Sequence, residues 1–286
     1  MRVRFFSVLA AAALLALGAV PASATSEGHS YLALGDSVPF GFSPLLDASS
    51  ANNFIGYPEI VAQRLNIEDV NATCPGEATG GFISLTGTDN VCRPYRFIFH
   101  LPLHVSYSGT QLAFATSYLT THPRTRLVTL TLGANDIFRF QKDCAAGPTV
   151  GTCPLGLAGV LATMQANLNA IFSAIRATGY RGLIVAVTYY SLDYHDTSGA
   201  HLLNAPMIAA ATAHGALVAS GLDAWAPVAA GGSSCTAGLL IPLPTGVCDV
   251  HPTPLGRDLL AGAVIEAIGA SCPAANPIGC LVRNRS

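Results

Sequence analysis

A serine lies at the end of a short apolar run near the start of the chain. Residues 31–34 are apolar and are followed by Gly35-Asp36-Ser37. Such a run is typical of a buried β-strand, so Ser37 would stand at a strand-to-helix turn with its hydroxyl exposed. The helix N-terminus behind it would favour a developing negative charge, which suits a nucleophile. Taken alone, the triplet is explained more simply by a serine that caps a helix.

Three further segments carry groups that would complement such a serine. Gly133-Ala134-Asn135-Asp136 follows a second apolar run, and an asparagine amide at a strand end can donate to an oxyanion. In Cys74-Pro75-Gly76-Glu77, Gly76 would let its backbone N–H approach a ligand closely. Asp249-Val250-His251-Pro252 offers a histidine as a general base. Asn135 alone would be explained more simply by an Asx turn.

Strand-like and helix-like segments alternate along the chain and would position these groups. The predicted strands are residues 31–34, 69–71, 127–132, 183–188 and 216–219; the predicted helices are 58–65, 110–120, 157–178, 200–213 and 254–268. Thr253 and Pro254 are typical of an N-cap and a first helical residue. The alternation predicts an α/β fold, a three-layer α/β/α sandwich around a parallel sheet of about five strands. Active sites of such sheets form at the carboxyl ends of the strands.

The N-terminus has the parts of a secretory signal peptide. Arg2 and Arg4 precede a continuous apolar block, residues 5–20, and Ala22-Ser23-Ala24 resembles a cleavage site. The block is short for a helix that spans a bilayer. Residues 1–24 are therefore predicted to be a signal peptide. The mature protein is expected to be secreted, with no stable membrane insertion; an uncleaved N-terminal anchor is the alternative.

The amino-acid composition limits the classes of protein to which this chain can belong. The 286 residues are 51% hydrophobic and 10% charged, against about 25% charged in an average soluble domain, with a mean hydropathy of +0.46. Disorder is excluded, because the chain has ample apolar surface to bury. The formal charge is −2, Lys142 is the one lysine among fourteen basic residues, and no basic run occurs, so no nucleic-acid partner is expected.

No repeat or linker divides the chain after the N-terminal segment, so residues 25–286 are predicted to form a single domain. Residues 82–107 and 137–154 show no clear period and contain cysteines. We expect both to be irregular, disulfide-pinned insertions at the strand ends.

The eight cysteines indicate disulfides. An even count in an exported chain favours disulfides over metal ligands, and no C-x-x-C spacing supports a zinc or redox site. The simplest pairing joins neighbours along the chain: Cys74–Cys92, Cys144–Cys153, Cys235–Cys248 and Cys272–Cys280. We therefore expect no metal and no cofactor.

Together, the four segments resemble the SGNH (GDSL-type) hydrolases. Gly35-Asp36-Ser37-Val38, Gly76, Gly133-Ala134-Asn135-Asp136 and His251-Pro252 occur in the order and strand context of that family, over about residues 31–270. The Cys-Pro-Gly-Glu block with paired cysteines is similar to the secreted esterases and lipases of high-GC bacteria. The resemblance implies the SGNH hydrolase fold, with a flavodoxin-like sheet, and a serine hydrolase that cleaves carboxylic esters through an acyl-enzyme.

The resemblance also implies a role for each matching residue. Ser37 would be the nucleophile and His251 the general base. The backbone N–H groups of Ser37 and Gly76 and the side chain of Asn135 would form the oxyanion hole.

One position departs from the family pattern. The family places an aspartate three residues before the histidine, where this chain has Cys248. Asp249 lies two residues before His251 and either orients the imidazole in a triad, or leaves that role to a backbone carbonyl in a Ser–His dyad. Asp36 and Asp136 are expected to hold their turns by hydrogen bonds rather than to react.

Aromatic residues of the two insertions could line an acyl-chain groove or form the insertions' own cores. The candidate substrate-binding residues among them are Phe97, Phe138 and Phe140. The expected substrate is a small-molecule, lipid or glycan ester, and the protein is expected to be a monomer. An esterase or lipase is the main hypothesis, and a carbohydrate acetylesterase or phospholipase on the same site is the alternative. The alternative from another class is a non-catalytic module that binds glycan or lipid.

Overall fold

A parallel five-stranded sheet lies at the centre of the computed structural model. The structure describes residues 29–146 and 153–272, without the side chains of residues 153–155. The strands are β1 (Ser30–Gly35), β2 (Glu68–Asn71), β3 (Thr125–Thr131), β4 (Leu183–Val187) and β5 (Leu217–Ala219). Their spatial order is β2-β1-β3-β4-β5, and all neighbours pair in parallel. The predicted strands and their parallel pairing are confirmed.

Helices cover both faces of this sheet. They are α1 (Ser37–Phe40), α2 (Tyr57–Leu65), α3 (Thr79–Ile83), α4 (Cys92–Phe97), α5 (Gln111–Thr121), α6 (Ala134–Ala146), α7 (Cys153–Ala177), α8 (Ser198–Ala213), α9 (Gly221–Ala229) and α10 (Pro254–Ser271). A short antiparallel hairpin, β6 (Leu240–Pro242) with β7 (Cys248–Pro252), precedes α10. Thr253 caps α10 as predicted, because its side chain accepts a hydrogen bond from the backbone N–H of Gly256.

The core consists of two apolar layers, one on each face of the sheet. Successive strand residues point to opposite faces, so Tyr31 packs in one layer and Leu32 in the other. The first layer contains residues of α2, α9 and α10, with Trp225 at its centre; the second contains residues of α5, α7 and α8, with Phe172. Every residue of β1 and β3 is buried. This double burial accounts for much of the apolar composition and confirms the three-layer prediction.

Helix α7 belongs to the core despite its apolar length. Gly156–Ala177 is long and apolar enough to cross a membrane by length and composition, with a mean hydropathy of 1.2. Met164, Leu168, Ile171 and Phe172 of this helix are fully buried in the second layer. The apolar face of α7 is therefore used in packing against the sheet.

The structure corrects two expectations about local structure. Within the predicted irregular insertion 137–154, residues 137–146 continue α6 and residues 153 and 154 begin α7, while residues 147–152 lie outside the described residues. Arg139 and Asp143, one turn apart on α6, form an ion pair at 2.8 Å that supports the helix. The β6–β7 hairpin was not predicted, because Pro242 and Pro244 interrupt the apolar pattern there.

Two of the four predicted disulfides are confirmed. Cys74 is bonded to Cys92 and Cys235 to Cys248. Cys144 and Cys272 are also disulfide-bonded. Their predicted partners, the side chain of Cys153 and the whole of Cys280, lie outside the described residues, as does the predicted signal peptide, residues 1–24. Those pairings and the signal peptide stay predictions.

Candidate active site

Ser37 is the first residue of α1, directly after β1. The turn before it fits closely against β3, since a Cβ on Gly35 would lie 1.9 Å from the carbonyl oxygen of Thr131. Asp36 caps α1, with Oδ1 accepting a hydrogen bond from the backbone N–H of Val38 at 3.0 Å. The turn therefore presents Ser37 at the carboxyl edge of the sheet, as predicted from the strand–Gly–Asp–Ser order.

His251 reaches this edge from the β6–β7 hairpin rather than from the central sheet. Its Nε2 lies 2.7 Å from Ser37 Oγ. Its Nδ1 is hydrogen-bonded to Oδ1 of Asp249, which also accepts the backbone N–H of His251 at 3.0 Å. With the proton on Nδ1, Nε2 can accept the hydroxyl proton of Ser37. The three side chains thus form a continuous hydrogen-bonded series although Asp249 is one position away from the family's usual place.

Asp249 is partly buried, with 22% of its side chain exposed. Burial opposes its ionisation, but the hydrogen bonds and positive charge of His251 outweigh burial and lower the pKa of the Asp249 carboxyl. An ionised carboxylate at this position can stabilise the imidazolium that forms when a histidine takes a proton.

The hairpin that carries His251 is attached at several points. The Cys235–Cys248 disulfide joins its entry to β7. The hydroxyl of Tyr190 donates to the carbonyl of Val250 at 2.6 Å, and the ring of Phe42 stands edge-on to the His251 ring with 5.0 Å between centroids. These contacts restrict the imidazole to the side of the cavity that faces Ser37.

Gly76 and Asn135 lie on the same cavity as Ser37 and His251. Gly76 has φ +82°, and a Cβ there would lie 2.2 Å from Cγ2 of Val91, so this position requires glycine. Asn135 is in the first turn of α6 and is 5% exposed. The structure therefore brings together the four residues to which the resemblance assigned a role, Ser37, Gly76, Asn135 and His251. It also places Asp249, which departs from the family pattern, against His251.

The carboxyls of Asp36 and Asp136 are both hydrogen-bonded, Asp36 within its own turn, as predicted, and Asp136 to α3. Asp136 accepts hydrogen bonds from the backbone N–H and the hydroxyl of Thr79, at 2.9 and 2.6 Å. Asp36 accepts from the hydroxyl of Tyr189 as well as from Val38. Burial raises the pKa of Asp36 to about 6, against the effect of these donors.

The cavity has a volume of about 630 Å³ and a largely apolar wall. That wall comes from α6, α7 and α8 and includes Ile137, Phe138, Leu157, Leu161, Leu202 and Leu203. The sequence indicated the helical period of these leucines but not that some of them border a cavity rather than the core. Ser37 and His251 line the same space.

Of the three aromatic residues predicted to bind substrate, Phe138 lines this cavity. Phe140 lies two positions further along α6, about 200° around the helix, and lines a second cavity beside Gly156. Phe97 ends α4 outside the described cavities and is 47% exposed. The structure therefore separates Phe97 and Phe140 from the space next to Ser37.

One cluster has the spacing of a metal site but not its chemistry. Donor atoms of Cys74, Glu77 and Cys92 lie within 4.8 Å of one another. The two sulfurs are bonded to each other, so they are not the thiolates that a metal would need.

Comparison with known proteins assigns the family. The sequence profile of the GDSL-like Lipase/Acylhydrolase family matches residues 33–259, which include Ser37, Gly76, Asn135 and His251. The chain belongs to this family. No curated protein matches the sequence. Family membership confirms the SGNH/GDSL resemblance, and with the esterases and lipases among the similar structures it supports an ester hydrolase.

Solved structures similar to this GDSL-like hydrolase share its fold at low identity. Phospholipase A1 from Streptomyces albidoflavus NA297 is 21% identical, with a TM-score of 0.51 over 84% of this chain and 98% of that one. An acetylxylan esterase from Geobacillus stearothermophilus is 16% identical, with a TM-score of 0.51 over 84% and 94%. An α/β hydrolase enzyme from the metagenome of Lake Arreo, Spain, is 15% identical, with a TM-score of 0.53 over 88% and 95%.

Proposed function

We propose that this GDSL-like hydrolase cleaves carboxylic esters through an acyl-enzyme formed on Ser37. The observation that carries the proposal is the hydrogen-bonded series from Ser37 Oγ, 2.7 Å from His251 Nε2, to Asp249. His251 takes the hydroxyl proton as Oγ attacks the ester carbonyl and returns it to the leaving alcohol. Water, activated by the same imidazole, then hydrolyses the acyl-enzyme and frees Ser37.

The negative charge of the tetrahedral intermediate falls on the former carbonyl oxygen. Ser37, Gly76 and Asn135, which would supply two backbone N–H groups and a side-chain amide, line the cavity where that oxygen would lie. Each such donor contributes about 10²–10³ in rate when it is in place before the reaction. The proposed oxyanion hole therefore consists of these three donors.

The apolar wall of the cavity supports an acyl chain longer than acetyl as the preferred substrate. A volume of about 630 Å³ is typical of sites that enclose a small ligand. Burying each methylene contributes about 0.8 kcal/mol, so two further carbons should raise kcat/KM by about tenfold until the cavity is filled. An esterase or lipase for fatty-acyl esters is thus favoured over an acetylesterase. An acetyl group would leave most of this apolar wall without contact to the substrate.

We also propose that the protein is exported and acts as a monomer on a small-molecule or lipid ester. Support comes from the signal-like residues 1–24 and from the Cys74–Cys92 and Cys235–Cys248 disulfides, which are compatible with an extracellular compartment. N-terminal sequencing of the protein from the culture medium would test the cleavage after residue 24.

Covalent labelling by a fluorophosphonate tests the nucleophile. We expect stoichiometric labelling, with the tag on the peptide that contains Ser37, and none in Ser37→Ala. Ser43→Ala is the matched control, because Ser43 is a nearby serine outside the cavity lining and should leave labelling intact. Folded, oxidised protein that does not label would favour the alternative of a non-catalytic glycan- or lipid-binding module.

A chain-length series of p-nitrophenyl esters, run beside acetylated xylan, tests the substrate. We expect kcat/KM to rise from acetate to medium-length chains. Leu161→Trp should remove that rise and leave acetate hydrolysis nearly unchanged, because Leu161 lines the apolar wall. Val160→Trp on the same helix faces the second cavity and should retain the wild-type series. Activity confined to acetyl groups on polysaccharide would overturn the fatty-acyl assignment.

A further inference from the structure

The side-chain amide of Asn135 has a partner on each side. Its Oδ1 accepts a hydrogen bond from Nδ2 of Asn90 at 2.9 Å. Its Nδ2 lies 3.4 Å from Oδ2 of Asp36. An amide nitrogen has two N–H donors, so one can face Asp36 while the other remains for a ligand. A rotated amide would place oxygen against the Asp36 carboxyl and nitrogen against the Asn90 donor, which are both unfavourable pairings.

Asn90 is also bonded to the carbonyl of Gly76, the residue whose N–H is another proposed donor of the oxyanion hole. Its backbone N–H donates to the carbonyl of Gly76 at 3.2 Å, and the next N–H, that of Val91, donates to the same oxygen at 3.3 Å. The Cys74–Cys92 disulfide closes the loop that contains these residues. Asn90 therefore joins Gly76 and Asn135, which come from different strand ends.

On the other side of the Asn135 amide, hydrogen bonds also fix the Asp36 carboxyl. Oδ2 of Asp36 accepts the hydroxyl of Tyr189, and that hydroxyl in turn accepts the backbone N–H of Ala134 at 3.2 Å. The backbone of Tyr189 is bonded through both its N–H and its carbonyl to the side chain of Asn204, at 2.9 and 2.7 Å. The carboxyl that faces Asn135 is thus fixed to the segment that follows β4 and, through it, to α8, while Asn90 donates to Asn135 on the opposite side.

We propose that Asn90 is a positioning residue of the oxyanion hole, which holds the Asn135 amide with Nδ2 toward the reacting carbonyl and couples it to Gly76. The inference rests on the proposed function, because it assigns Asn90 a task in that same reaction. An oxyanion forms in the transition state and not in the bound ester, so correct orientation of its donors lowers the barrier more than it strengthens substrate binding. Loss of Asn90 should therefore reduce kcat and leave KM nearly unchanged.

Two substitutions at Asn90 distinguish removal of the hydrogen-bond donor from its replacement by an acceptor. Asn90→Ala removes the donor, and we expect kcat to fall about tenfold. Asn90→Asp presents a carboxylate to Asn135 Oδ1 and favours the rotated amide, so kcat should fall about 10²-fold, close to the loss from removing one oxyanion donor. Asn53→Asp is the matched control, because Asn53 bonds a loop carbonyl at the exposed surface and should retain wild-type kcat.

A double-mutant cycle decides whether Asn90 acts through Asn135. If it does, Asn90→Ala should have almost no further effect on kcat in an Asn135→Ala background. The proposal would be overturned if the fold loss in kcat of the double variant equalled the product of the two single losses. A wild-type kcat in Asn90→Ala would also overturn it. Thermal unfolding of each variant separates this effect from general destabilisation. Failure of the proposed function is distinguishable, since the wild type would then neither hydrolyse esters nor label at Ser37.

Discussion

Asp249 Oδ1 accepts two hydrogen bonds from a single residue, His251, one from its backbone N–H at 3.0 Å and one from Nδ1 of its ring. Both residues lie on β7, where positions two apart point to the same face of the strand. The two-residue spacing therefore brings the carboxylate to the imidazole. Cys248, at the position where the family has its aspartate, forms the disulfide to Cys235 instead.

Asp249→Asn should reduce kcat by about 10³–10⁴, since an amide neither fixes the tautomer of His251 nor stabilises the imidazolium. Steady-state kinetics on a soluble ester would measure the loss. Asp258→Asn, which alters an exposed ion pair with Arg64, is the matched control and should remain near wild type. A loss smaller than tenfold for Asp249→Asn would instead support a dyad with a backbone carbonyl.

Removing the Cys235–Cys248 disulfide should lower both stability and activity. The bond closes a loop with a sequence separation of 13, for which the entropic stabilisation is about 3 kcal/mol. We expect Cys235→Ser/Cys248→Ser to have a lower Tm and a lower kcat, because the strand that carries His251 loses its covalent attachment. Full activity of the wild type in excess thiol, with the bond shown to be reduced, would contradict this role.

Glu77 should make stability depend on pH. Burial raises the pKa of Glu77 to about 8 from 4.5, with Asp89 adding to the effect. The folded state thus keeps a proton that the unfolded state releases, so the contribution of Glu77 to stability is fully present below about pH 4.5 and is lost as pH rises to about 8. At about 1.4 kcal/mol per pKa unit, the loss amounts to a few kcal/mol.

Glu77→Gln should remove most of this dependence. We expect the variant to gain Tm relative to wild type between pH 5 and pH 9, as followed by thermal unfolding. Glu68→Gln, at an exposed position of the edge strand β2, is the control, and its Tm should change with pH as that of the wild type does. If the Tm of Glu77→Gln also changed with pH as that of the wild type does, the Glu77 carboxyl would not be held protonated.

Gly76→Ala should disable the enzyme by displacing one oxyanion donor. The new Cβ would meet Val91 Cγ2 at 2.2 Å, and φ +82° costs about 1–3 kcal/mol for a residue other than glycine. We expect kcat to fall at least 10²-fold. Adding Val91→Ala should recover part of the loss by removing the clash, with Val91→Ala alone as its reference. Wild-type kcat in Gly76→Ala would rule out a role for the Gly76 N–H.

Local patterns were sufficient to predict the sheet and the positions of its chemical groups. Residues 31–34 are apolar, and residues 127–132 are apolar except for Thr129 and Thr131, because both faces of those strands are buried; glycine follows each run where the chain turns. In a parallel sheet all such turns meet at one edge, so Ser37 and Asn135 had to approach one another. Helix α6 was not predicted, because the residues of its exposed face are polar enough for the sequence to resemble a loop.

The sequence by itself therefore determined the fold class, the family and the edge of the sheet at which the site forms. Only the tertiary structure decided that Asp249 reaches His251, that Phe138 but not Phe140 borders the cavity, and that Asn90 holds Asn135. These are contacts between separate elements; Ser37 and His251 are 214 positions apart. A periodic pattern indicates which side of an element is buried, but the packing of one element on another decides which side chains meet there.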